Sequence, residues 1–181
     1  MLISLLQADD ERMRILRLVS YMSLPDCWVA AGFVRSLVWD HRHGFKPGTL
    51  SGDVDVVWFG PEGGTEDADK LLEAQLRRHA ADIPWSLKNQ GRMHKVNRDD
   101  PYTSTMDAMR HWPETATAVG VRLGTAGIEV LAPFGLDDLF NLVIRPTPAF
   151  AGERQTVVVD RLEQKRWLER WPHLKLQLTV H

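Results

Sequence analysis

Asp53 and Asp55 stand two positions apart in Ser51-Gly52-Asp53-Val54-Asp55-Val56-Val57-Trp58-Phe59, a stretch otherwise rich in β-branched and aromatic residues. Alternation along a strand puts both carboxylates on one face and Val54, Val56 and Trp58 on the other. Carboxylates so placed lie roughly 6.5–7 Å apart at Cα and can converge on one hard cation or a close pair. Aspartate is disfavoured in strands, so two in so apolar a run ask for a chemical reason. About twenty residues earlier the apolar run Cys27–Ala31 meets Gly32, and a helical period begins. A strand–glycine–helix passage offers free backbone amides and the positive end of a helix to a phosphate. Arg35 lies one turn in. Phosphoryl or nucleotidyl transfer needs both parts: an ion bridging phosphate oxygens, and a protein that supplies position and charge.

The elements that must hold these residues follow from periodicity and punctuation. Leu5, Met13, Leu16 and Met22 predict an amphipathic helix over 2–22, broken at Leu24-Pro25-Asp26. A buried strand over 27–31 leads through Gly32 into a helix with Val34, Leu37, Val38 and His41 on one face, stopped at Gly44. The aspartate strand follows, then a turn at Gly60-Pro61-Glu62-Gly63-Gly64. Thr65 is placed to cap a helix carrying Glu66, Asp67 and Asp69 in its first turn. Trp85–Asn89 alternates as a strand and runs into Gln90, Arg92 and His94. A short helix over 104–111, a hairpin over 117–131 and a helix over 136–142 come next. The last helix is expected from Asp160, with Glu163 completing a capping box, to Trp171. This order predicts an α/β (α+β) fold, a mixed β-sheet flanked by helices. Residues 1–181 read as one domain with a core at about 24–148 and the terminal helices packed on it.

Composition bounds the function. With 181 residues, 44% apolar and 25% charged, the chain is an ordinary globular sequence. A net charge of −2 gives no strong nucleic-acid signal, and no segment reads as a leader or a membrane span. Cys27 is the single cysteine, which excludes an intrachain disulfide and suits a reducing, cytoplasmic setting. Seven tryptophans point to deep pockets or a dense core.

Ala31-Gly32-Phe33-Val34-Arg35 followed by Asp53-Val54-Asp55-Val56 resembles the signature of the polymerase-beta-like nucleotidyltransferase superfamily. The resemblance extends through Lys88-Asn89-Gln90-x-Arg92-Met93-His94, Pro113–Val119 and Ala132–Phe140, and the wider sequence looks like one bacterial branch of nucleotidyltransferase-like proteins. It implies a nucleotidyltransferase fold, Asp53 and Asp55 as ligands of Mg2+ (or Mn2+), and Gly32 beside a triphosphate. The expected donor is an NTP. The acceptor, a small molecule, protein or RNA carrying a hydroxyl or phosphate, is not specified. Ala31 stands where many superfamily members have glycine. A third carboxylate is expected on a neighbouring strand, and Glu129 on the hairpin is the strand-borne candidate.

Each assignment has a plainer reading. Asp53 and Asp55 alone would also suit strand-end caps or surface ion pairs, and Gly32 an ordinary turn. Arg35 would equally pair with an acid such as Asp40. Ser51, Lys88, Asn89 and Arg92 are assigned to nucleotide binding, with a polar strand end as the alternative for the last three. A catalytically weakened member that binds nucleotide or a protein partner is the alternative function. His41 and His43 have no thiolate or H-E-x-x-H context, so zinc is rejected.

Overall fold

A computed structural model describes residues 1–46, 50, 52–60 and 65–178. The predicted first helix is two: α1 (Leu2–Gln7) and α2 (Asp10–Tyr21). The break lies at Asp9, whose carboxylate accepts the backbone N–H of Arg12 and so starts a new helix. Arg12 is itself buried, donating to the Phe33 carbonyl and lying over the Phe33 ring.

The centre is a sheet built from β1 (Trp28–Ala30), β2 (Val54–Trp58), β3 (Trp85–Asn89), β4 (Gly120–Gly124) and β5 (Gly127–Leu131). Its order is β3-β2-β1-β4-β5, with β2 and β3 parallel and the other neighbours antiparallel, as a mixed sheet should be. Between the strands run α3 (Gly32–Arg42), α4 (Glu66–His79), α5 (Met93–Asn97) and α6 (Thr105–Met109). After the hairpin come α7 (Asp137–Phe140), β6 (Val143–Ile144), α8 (Gln155–Gln164), α9 (Trp167–Arg170) and β7 (Lys175–Leu176), with β6 and β7 pairing in parallel. None of the described helices is long and apolar enough to cross a membrane.

The two sheet faces differ in kind. Val29, Val54, Val56, Leu87 and Val121 point into one continuous core that extends from Leu2 in α1 to Leu174 before β7. Trp28, Ala30, Val57 and Leu131 form a smaller cluster with Met109 on the opposite face. That face is only partly covered, and the uncovered part is the cleft described below.

Two elements depart from expectation. The last helix does not start at Asp160. It begins at Gln155, because Val158 and Leu162 both seat in the core and a 3-10 turn at Gly152–Arg154 leads in. It ends at Gln164, and Arg166, with a left-handed φ of 51°, separates α8 from α9. Asp160 is therefore mid-helix, and no capping box forms there. Strand β4 starts at Gly120 rather than Thr117, because the Thr117 hydroxyl is held by the Glu114 carbonyl and carboxylate.

Candidate active site

Asp53 immediately precedes β2, and Asp55 lies within it. Both face the cleft together with Val57, while Val54, Val56 and Trp58 turn to the core, as the alternation requires. The register pairs Asp55 with Ala30 of β1 and with Ser86 of β3. β1 ends at Ala30, and Ala31 bends the chain into α3 with φ 52° and ψ −116°, a conformation costly for any residue with a Cβ. Gly32 then opens the helix. A Cβ built on Gly32 would lie 3.5 Å from Arg35 Nη2 and 4.0 Å from the Asp53 carbonyl oxygen. The start of α3 and the start of β2 are therefore packed side by side, and the helix amides open beside the carboxylates.

The cleft has a volume of about 570 Å3. Its charge is mostly positive, from Arg35, Lys88, Arg161, Lys165 and Arg170, against Asp53 and Asp55. The Arg35 guanidinium is set among the rings of Trp39, Trp167 and Trp171, 5.2, 4.5 and 5.8 Å from their centroids. Its Nε is buried without a hydrogen-bond partner. Burial lowers this guanidinium to about 10 against the pull of Glu114 and Asp55, so it remains charged at neutral pH. Arg161 reaches the cleft from α8 and is fixed by Glu114, fully buried, through Nε–Oε1 at 2.7 Å. Arg170 is held by Asp40 at 3.2 Å, and the same carboxylate accepts the Trp171 indole N–H. Arg35 therefore does not pair with Asp40.

Asp55 is pushed above the usual carboxylate range. Burial is the main cause; a hydrogen bond from Ser86 and the charge of Lys88 oppose it, and Asp53 adds to it. A carboxylate in this condition gains from a bound cation. Asp53 and Asp55 offer hard oxygen ligands on one face, and Mg2+ bound with substrate phosphates needs only one or two protein carboxylates. The donor set fits the ion.

Other residues assigned from sequence are placed differently. Lys88 faces the cleft, but Asn89, its neighbour on β3, must face the other way and is buried. The Asn89 amide group bridges Gly60 and Gly91, and its backbone N–H donates to Asp69 of α4. Arg92 is ion-paired with the same Asp69, which also accepts the Trp58 indole N–H. Asn89 and Arg92 thus belong to a structural cluster behind the sheet and not to the cleft.

Glu129 is not brought to the aspartates. It is ion-paired with Arg122 of β4, which lies over the Trp28 ring. Three strand spacings, roughly 14 Å, separate β5 from β2. Among the described residues, no cluster of three or more acidic, His or Cys side chains could hold a metal. Ser51 lies outside the described residues.

The cleft also contains residues that were not assigned to the site from sequence, among them Ser86, Gln90, Thr117 and Trp112. The largest omission is the contribution of α8 and α9. The tryptophan content was the available signal, and Trp112, Trp167 and Trp171 do line the cleft. A second depression, about 620 Å3 between α2 and α4, is lined by Leu18, Tyr21, Met22, Gln75, Arg78 and His79 and brings together no comparable chemistry.

Residues 17–176 match the family model described as nucleotidyltransferase. The chain belongs to this nucleotidyltransferase family. It is 35% identical to a protein whose NMR structure reveals a CCA-adding enzyme head domain, with a TM-score of 0.87 over 98% of this chain and 95% of that one. The nucleotidyltransferase fold also appears in the Thermotoga maritima CCA-adding enzyme complexed with tRNA (TM-score 0.60, 17% identity, 94% of this chain) and in a CCA-adding enzyme with ATP (0.56, 17%, 96%). This chain spans 40% and 41% of those two chains. No curated protein matches the sequence.

Proposed function

We propose that this nucleotidyltransferase moves a nucleoside monophosphate from an NTP to an acceptor oxygen, with Mg2+ (or Mn2+) held by Asp53 and Asp55. The observation that carries this reading is the shared face of the two aspartates beside the start of α3, inside a cleft whose other charged residues are all cations. The α3 amides after Gly32 receive phosphate oxygens, and Arg35, Arg161 and Lys165 neutralise the rest of the triphosphate. Trp112, Trp167 and Trp171 give the cleft apolar walls on which a base can stack. Asp53 and Asp55 would hold the ion, whose charge would stabilise the negative charge that develops on transfer. The ATP and tRNA complexes of the CCA-adding enzymes support an NTP donor and keep RNA among the acceptors beside small molecules and proteins. The single buried thiol, Cys27, fits a reducing cytoplasm.

Calorimetry with ATP, CTP, GTP and UTP, with and without Mg2+, tests the reading. Metal-dependent binding should vanish in the Asp53→Asn/Asp55→Asn double variant; binding that survives it would refute the metal site. A second reading, a nucleotide-binding module with weakened catalysis, is favoured by one observation: no third carboxylate faces the cleft among the described residues. Pyrophosphate release on addition of NTP and candidate acceptors separates the two.

A further inference from the structure

Strand β3 runs parallel to β2 and presents two side chains to the cleft, Ser86 and Lys88. Ser86 is in register with Asp55 and donates a hydrogen bond to its carboxylate. Lys88 is in register with Val57, one strand spacing across and two residues along from Asp55, roughly 8 Å at Cα. On β1, the other neighbour of β2, the residue in register with Asp55 is Ala30, so a third carboxylate on the aspartate face from a neighbouring strand would have to occupy one of these two β3 positions. They hold a hydroxyl and an ammonium instead. Four other acids of the described fold are committed elsewhere: Glu114 to Arg161, Asp40 to Arg170, Asp69 to Arg92 and Glu129 to Arg122.

Ligand number then decides what the face can hold. One divalent cation would be held by Asp53, Asp55 and the substrate phosphates. A second would lie beside the Lys88 ammonium with no third carboxylate among the described residues to hold it, and the two like charges repel. Lys88 is exposed and forms no ion pair among the described residues, so its ammonium is available on a flexible stem that reaches the space above Asp55.

We propose that this cleft is a one-cation centre in which Lys88 supplies the second positive charge. The proposal rests on the nucleotide-transfer reading above, and it predicts the ion count independently of turnover.

The test is electron paramagnetic resonance of Mn2+ titrated into the full chain, saturated with whichever of the four α,β-methylene nucleoside triphosphates binds. The wild type should take up one Mn2+ per chain. Lys88→Asp should take up two, with dipolar broadening from a close pair. Lys88→Met, which removes the charge without adding a ligand, should stay at one. Two ions in the wild type, or one in Lys88→Asp with its thermal melt unchanged, overturns the proposal. Nucleotide bound with no ion overturns the one-cation centre while leaving nucleotide binding in place. Failure to bind any nucleotide removes the functional reading beneath it.

Discussion

Two polar clusters lie on opposite faces of the same pair of strands, and they are built on opposite rules. Behind β2 and β3, Asp69 is 2% exposed and accepts from the Asn89 backbone, the Arg92 guanidinium and the Trp58 indole. Every donor there has an acceptor, and the result is rigidity. In front, Asp53, Asp55, Lys88 and Lys165 share a cleft, none of them in an ion pair among the described residues, and the Arg35 Nε has no partner. A satisfied cluster fixes a fold. A cluster that keeps its charges uncompensated stores electrostatic work for a ligand, at a cost in stability.

The largest effect should come from the front cluster. Asp55→Asn removes a metal ligand; several kcal/mol of lost transition-state stabilisation corresponds to about a thousandfold loss in pyrophosphate release. Stability should move the other way. The folded-state pKa of Asp55 is raised, so the folded chain holds this proton more tightly than the unfolded one, and Asp55 lowers stability as pH rises through and just above the carboxylate range. Asp55→Asn should abolish that slope, and its Tm at neutral pH should equal or exceed the wild type's. A Tm lower by several degrees would show that Asp55 is structural and erase the contrast between the two clusters.

Asp69→Ala makes the complementary test. Removing one partner of a buried ion pair typically costs about 3–5 kcal/mol, here a Tm drop of about 10 °C for a chain of this length. Nucleotide affinity measured below the transition should be unchanged. A large rise in Kd with little loss of Tm would move the Asp69 cluster into the binding site.

What could be read from sequence divides along the same line. Asp53, Asp55 and Gly32 were legible because strand alternation and the strand-to-helix turn are local patterns. Asn89 and Arg92 lie outside the cleft because β3 must send Lys88 and Asn89 to opposite faces, and their closeness in sequence to Lys88 hides that division. Arg161, Lys165 and Trp171 reach the cleft from more than a hundred residues downstream of Asp53, and no short-range pattern encodes that packing. The Glu114–Arg161 ion pair that aims one of these cations joins residues 47 positions apart. The expectation for Glu129 failed on strand order: a hairpin is legible from its turn, but not how many strands separate it from β2.

Ala31 tests how far the front cluster is strained. Its positive φ should cost about 1–3 kcal/mol, and glycine would recover this less about 0.4–1 kcal/mol of chain entropy. Ala31→Gly should therefore raise stability by about 1 kcal/mol and Tm by about 3 °C. Nucleotide affinity should hold or improve, since the turn loses a methyl group beside the α3 amides. A lower Tm would mean that packing around the Ala31 methyl outweighs the strain.

The smallest effect belongs to Glu129→Gln. The Arg122–Glu129 pair has side chains 39% and 43% exposed, and such surface pairs contribute about 0–1 kcal/mol. Arg122 also keeps its place over Trp28, 4.2 Å from the ring, without the carboxylate. Tm should shift by less than about 3 °C, and nucleotide-dependent pyrophosphate release should equal the wild type's. The measurement discriminates because the two carboxylate substitutions remove the same charge. Asp55→Asn acts on a half-buried group facing the cleft, Glu129→Gln on a paired group three strands away. If Glu129→Gln lost activity on the scale of Asp55→Asn, the carboxylate on β5 would have to reach the cleft in a conformation different from this one, and the one-cation assignment to Lys88 would fall with it.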